Sequence, residues 1–216
     1  MQIAEFIQET TKIEKFYNKA LEHYDSLLNL YNEDGTKPSD SKTISQILFP
    51  NLYRFYDEAQ VMTNFHSKEK TDMSENLSYL GAYPTNAITN YDFYENTLAT
   101  AMPNMLRALD PDIQCLAFHN GTEDYYNRSK YSKATGFEDF ISADDMLDMG
   151  MPDWMSKGER SLDADMIEIC QDMMFPTDKR FFSYIITITQ HGQYKYRDSL
   201  EERGYYDLLE KYGLKF

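Results

Sequence analysis

The chain has 216 residues, an apolar fraction of 42% and a formal net charge of −15. That length suits one domain with an appendage, and the composition supports a real core. The acidity argues against nucleic-acid binding, which needs clustered Lys and Arg, and against broad adhesion to an anionic membrane; a site for a single phosphate stays open, because one Arg or one metal sets the local field.

Residues 3–31 give the clearest helix. Ile3, Phe6, Ile7, Ile13, Phe16, Tyr17, Leu21, Tyr24, Leu27, Leu28 and Tyr31 make an amphipathic stripe, with polar residues off it. The helix stops at Asn32-Glu33-Asp34-Gly35, and it reads either as a helix packed on the domain or as a partner-binding arm. A polar linker follows. Residues 44–55 look helical with an interruption at Pro50, and Val61 to Phe65 is a candidate short strand.

After His66 the chain turns polar, and from Thr71 its composition is helical. Thr71 has two readings. It is an N-cap whose hydroxyl takes an N–H of the first turn, or it is a nucleophile at a helix N-terminus that favours an anion. Residues 96–109 predict a helix with Met102, Met105, Leu106 and Leu109 on one face.

Ile113 to Phe118 reads as a strand that breaks at His119-Asn120-Gly121 into a polar, aromatic loop ending Tyr125-Tyr126-Asn127-Arg128. A strand that hands a His, an amide and an Arg to a loop is a common way to build a polar site on an α/β sheet. His and Arg together suit an anion, since Arg offers a planar fork of donors and His one more; the plainer reading is a solvated loop. Residues 144–150 make a short helix or turn, and Leu162 to Met174 a helix with a Met-rich face, which reads as core. Phe181 to Thr189 is the best strand, β-branched, aromatic and nearly continuous in apolarity, hence central in a sheet. It too exits to a His, His191, so His119 and His191 point to one edge of a parallel sheet. The tail from Asp198 is helical with breaks at Gly204 and Gly213.

Cys115 and Cys170 are the two cysteines, and both sit in apolar patterns that suit buried free thiols better than a disulfide. No apolar run reaches the length of a membrane span, and the polar start of the chain carries no secretory signal.

Three separated blocks share a resemblance. They are Asn64-Phe65-His66-Ser67-Lys68-Glu69-Lys70-Thr71-Asp72-Met73-Ser74-Glu75 with Gly81-Ala82-Tyr83-Pro84, then His119 to Phe140, then Phe181 to Tyr194. In that order they resemble the lipoteichoic acid synthase-like phosphoglycerol transferases, a sulfatase-like branch of the alkaline phosphatase superfamily. The resemblance implies Thr71 as the nucleophile and as a ligand of a divalent metal, Mn²⁺ or Mg²⁺. It implies His119, Tyr126, Arg128 and His191 as substrate-binding residues. The donor would be a phosphatidylglycerol-type lipid, the product a glycerophosphate polymer of the cell envelope, and the family's place the extracellular face of the bacterial membrane. Two departures stand out. The family's early carboxylate ligand and its later Asp-His pair find no counterpart here, and one Thr hydroxyl does not satisfy an ion that wants about six oxygen ligands. Neither cysteine has the C/S-x-P-x-R context of a true sulfatase nucleophile.

The expected fold is therefore α/β: a mainly parallel central sheet flanked by helices, an incomplete alkaline-phosphatase/sulfatase-like sandwich. Residues 1–36 would be the N-terminal amphipathic helix, 37–49 a linker and 50–216 a partial phosphotransferase domain. The expected function is glycerophosphate transfer through Thr71, with the alternative of a non-catalytic relative that binds a phosphate-bearing ligand or a partner protein.

Overall fold

The computed structural model describes residues 51, 54–55, 58–60, 71–81, 98–192 and 195–211. The N-terminal helix, the linker and the candidate strand at 61–65 lie outside these. The chain divides into two compact units, Met1–Phe65 and His66–Phe216, and every element below belongs to the second.

In chain order the elements are α1 (Thr71–Leu80), α2 (Met102–Leu109), β1 (Gln114–His119), a 3₁₀ turn (Tyr125–Asn127), α3 (Arg128–Thr135), β2 (Asp139–Ile141), α4 (Ala143–Asp148), a second 3₁₀ turn (Met155–Lys157), α5 (Asp163–Met174), β3 (Phe181–Ile186), α6 (Asp198–Glu202) and α7 (Tyr205–Lys211). The three strands form one sheet in the order β2-β1-β3. Both pairings are parallel, with Leu116 opposite Asp139 and Ser183, and His119 opposite Ile186. Parallel neighbours need crossover connections; α3 supplies one, and α4 with α5 the other. The α/β fold with a parallel sheet between helices is as expected.

Side chains alternate across β1 and sort the core into two faces. Phe118 joins Ile141, Ala143, Met146, Met166, Cys170 and Met174 beneath α4 and α5, with Leu116 and Ile185 packed against them. Cys115 and Ala117 face the other way, onto Phe137 and Phe140, with Phe182 and Tyr184 alongside. The Met-rich face of α5 is core, and both cysteines are buried free thiols, as their apolar contexts imply.

Several expectations shift. Among the described strands β1 is central, and β3, expected in the middle, pairs only with β1 and stays half-buried along most of its length. The apolar residues of β3 serve both faces, Ile185 on one and Phe182 and Tyr184 on the other, with β1 as its strand neighbour among the described residues. It ends at Ile186 because Ile188 and Thr189 give their N–H groups to Asp163 instead of a ladder. The helix expected over 96–109 begins at Met102, after a turn, and its Met102, Met105 and Leu109 are exposed. What seats α2 is polar: Asn104 Nδ2 donates to the carbonyls of Leu98 and Ala134 at 2.9 and 3.1 Å. The stretch after Arg128 is helical, and Asp139 opens a strand; neither was legible, since Arg128-Ser129-Lys130-Tyr131-Ser132-Lys133 has no apolar stripe.

Gly136 closes α3 in a left-handed conformation, φ 102°, with Gly136 N and Phe137 N both donating to Ser132 O at 3.1 and 3.0 Å. A Cβ there would also run into Asn104. Among the described residues no helix is long and apolar enough to cross a membrane.

Met166 is fully buried on α5, whereas its neighbour Ile167 is 46% exposed. In urea unfolding, Met166→Ala is expected to cost about 2–5 kcal/mol, and Ile167→Ala less than about 0.5 kcal/mol. Equal costs would mean that the α5 face is assigned wrongly.

Candidate functional site

Beyond the carboxyl ends of β1 and β3 lies a cavity of about 350 Å³, the place where open parallel sheets present ligand sites. Thr71, His119, Tyr126, Arg128 and His191 all line it. They come from the start of α1, the end of β1, the 3₁₀ turn, the start of α3 and the turn after β3. All five candidate residues thus meet in one pocket.

His119 is 4% exposed. Its Nδ1 lies 3.1 Å from the Ile186 carbonyl. A carbonyl only accepts, so Nδ1 carries the proton and the lone pair sits on Nε2. Burial lowers its pKa to about 4, outweighing the Ile186 bond that acts the other way. His119 is therefore a neutral acceptor, where residue type alone suggested a further donor for an anion. Gly121 makes room for it: a Cβ on Gly121 would sit 2.5 Å from Nε2.

Arg128 is buried beside Glu75 of α1. Its Nε and Nη2 donate to Glu75 Oε2 and Oε1 at 3.3 and 2.7 Å, and its guanidinium lies 5.1 Å from the Tyr126 ring centroid. Burial raises the Glu75 carboxyl despite this partner. Removing one member of such a pair leaves a buried charge behind, at a cost of about 3–5 kcal/mol. The loop reaches this geometry through two consecutive left-handed residues, Tyr126 (φ 62°) and Asn127 (φ 51°). Asn tolerates that region; Tyr does so at some strain, which collects at functional sites.

Thr71 is exposed at the first position of α1. Its neighbour Asp72 is buried, with Oδ1 unpartnered among the described residues. His191 is exposed on a turn that Arg160 fastens, through bonds to the carbonyls of His191 and Gly192 at 3.1 and 3.2 Å.

Residue type did not single out Asp163, Ser161, Arg160 or Glu75. Asp163 Oδ1 accepts from Asn120 Nδ2, Ile188 N and Thr189 N at 2.9, 3.0 and 3.1 Å, and its own N–H donates to Thr189 Oγ1 at 2.6 Å. The signal available was an Asp at the start of a helix, which serves structure as often as function.

A divalent metal on Thr71 was implied by resemblance. Among the described residues, no group of three or more His, Cys, Asp or Glu side chains is placed to hold one. The described pocket therefore does not fit the ion on its own.

The Sulfatase family model matches residues 36–212. No curated protein matches the sequence. Among solved structures, the lipoteichoic acid synthase LtaP from Listeria monocytogenes superimposes with a TM-score of 0.56 at 20% identity, covering 86% of this chain and 46% of that one. The chain thus spans less than half the length of that protein, and the likeness is one of fold.

Between about pH 6.5 and 4 the unfolded chain takes up a proton on His119 that the folded chain refuses. Its contribution is therefore full above the ordinary value of 6.5 and is lost as pH falls toward 4. From about pH 7 to 4.5, wild type is expected to lose roughly 2–3 kcal/mol more than His119→Gln in urea unfolding. Parallel losses would show that His119 is not buried as a neutral ring.

Proposed function

The chain belongs to the sulfatase family, and from that premise we propose that it is a phosphoglycerol-transferase-type domain whose cavity takes the phosphate-bearing head group of a phosphatidylglycerol-type lipid. The observation that carries this reading is the meeting of Thr71, Tyr126, Arg128, His119 and His191 in one pocket at the carboxyl edge of the sheet. A hydroxyl nucleophile beside guanidinium groups is what phosphoryl transfer requires: an attacking oxygen, and positive charge for the equatorial oxygens. Arg128 and Arg160 supply that charge within a chain of net charge −15.

In this reading Thr71 Oγ attacks phosphorus. The bond from phosphorus to the diacylglycerol oxygen breaks, and diacylglycerol leaves with the proton that Thr71 gave up. A hydroxyl of the growing glycerophosphate polymer then attacks the glycerophospho-Thr71, and Thr71 regains a proton. The family's divalent ion, Mn²⁺ or Mg²⁺, would polarise phosphate oxygens and favour the alkoxide of Thr71; the described residues do not hold it unaided. The extracellular face of a bacterial membrane is the place that fits such a donor.

A second reading is binding without transfer. It draws support from Glu75, which occupies two donor positions of Arg128.

Intact-mass measurement separates the two. The full chain, incubated with phosphatidylglycerol vesicles and Mn²⁺, is expected to gain one glycerophosphoryl group, and Thr71→Ala to gain none. An adduct that survives in Thr71→Ala would sink Thr71 as nucleophile. Retention of glycerol phosphate with no adduct in wild type would establish the binding-only reading.

A further inference from the structure

Two irregular stretches of chain, 159–161 and 187–191, form the outer rim of the cavity. Both are gripped by residues that follow them. Glu159 Oε1 and Oε2 accept the N–H groups of Asp198 and Ser199 at 2.8 and 3.2 Å. That caps α6 from 39 residues away, because Arg197, at the helix's own cap position, offers no side-chain cap. Arg197 Nη2 instead donates to the Thr189 carbonyl at 3.0 Å. The far end of α6 is fastened to α5. Arg203 donates from Nη1 and Nη2 to Glu168 at 2.8 and 2.9 Å, and its Nη2 also pairs with Asp165. Asp165 is buried and takes the Trp154 Nε1 hydrogen as well, at 2.9 Å. Within the segment, Arg197 N donates to Tyr206 Oη at 3.0 Å, and the Tyr196 and Tyr206 rings stack with centroids 4.8 Å apart.

These attachments are polar. Among the described side chains, none from 195–211 belongs to the apolar core clusters, and Tyr196 and Tyr205 are half-exposed. A segment held by a few ion pairs and hydrogen bonds opens at a lower free energy than the sheet it lies on. Opening here takes away the Arg197 bond to Thr189 and the two N–H groups on Glu159. Both rim stretches lose a fixed partner in the same event, while β1 and its ladder bonds are untouched.

We propose that α6 and α7 form a strap, latched to α5 by Arg203, that docks and undocks while the sheet stays folded and whose docked state shapes the cavity's outer rim. Arg203 lines no part of the cavity and acts as a positioning residue: through α6 on Glu159, and through Arg197 on the turn that carries His191. An anion in the cavity meets Arg160 and His191 on that rim, so an occupied cavity and a docked strap favour each other reciprocally. That coupling rests on the proposed phosphate pocket; the strap itself does not.

The test is amide hydrogen exchange, read by mass spectrometry on the full chain near neutral pH. In Arg203→Gln, amides of 187–192 and 198–205 are expected to exchange at least about tenfold faster than in wild type, with those of β1 unchanged. Arg203→Lys, which keeps the charge, is expected to fall between the two. Inorganic phosphate added to wild type is expected to slow exchange in the strap and in the rim together. Faster exchange in β1 as well would make Arg203 a contributor to overall stability only and overturn the strap. Faster exchange confined to 198–205, with the rim at its wild-type rate, would overturn the link from strap to cavity. Phosphate that protects the rim and leaves the strap unchanged would overturn the reciprocal coupling. Loosening by Arg203→Gln with no protection by phosphate anywhere would uphold the strap and remove the phosphate pocket.

Discussion

One carboxylate holds the site together. Asp163 stands at the first position of α5, where the helix N-terminus favours its charge. Its Oδ1 takes an N–H from each of Ile188 and Thr189, just past β3, and from the amide of Asn120, just past β1. A β-sheet fixes its strands by ladder bonds, but ladders end where ligands bind. The segments that leave β1 and β3 need another anchor, and Asp163 is that anchor for both. The turn that carries His191 and the wall that carries Asn120 are thereby referred to the same oxygen atom.

The opposite side of the pocket depends on a second carboxylate, and this one is buried. Glu75 lies one helical turn after Thr71, so the Glu75–Arg128 pair ties the helix of the proposed nucleophile to the start of α3. Tyr131 OH adds a bond to Asn76 Oδ1 between the same two helices. This interface is polar where an apolar seam would be cheaper, since two buried charges give up their hydration. What the charges secure is orientation: a guanidinium gripped on two of its nitrogens cannot swing. The left-handed Tyr126 beside it points the same way, because strain of that kind persists only where the surroundings enforce it.

Burial is the largest influence on protonation at His119 and at the two cysteines. His119 is kept neutral, with its donor spent on the sheet. Cys115 and Cys170 are held as thiols, each pushed up to about 11 mainly by burial, and take no part in the site. Positive charge in the pocket comes from Arg128 and Arg160.

The sequence by itself determined the elements with a strong period and the punctuation between them. The Met-rich face of α5, the apolar run of β1, the start of α1 at Thr71 and the helix break at Gly204 follow from spacing, β-branching and glycine. It also determined that His119 and His191 leave parallel strands at one edge, because two buried strands ending in polar turns have few other arrangements. Only the tertiary structure decided that β1 sits between β2 and β3, since strand order is a choice among pairings that look alike locally. It alone showed α3 as a helix, whose few apolar groups gain their burial from long-range partners such as Leu80 and Tyr184 around Tyr131. It alone decided the chemistry of the pocket too. That His119 accepts, that Arg128 is gripped by Glu75 and that the Asn120 amide donates to Asp163 depend on atoms between 41 and 67 residues away in sequence, and no local pattern encodes contacts at that range.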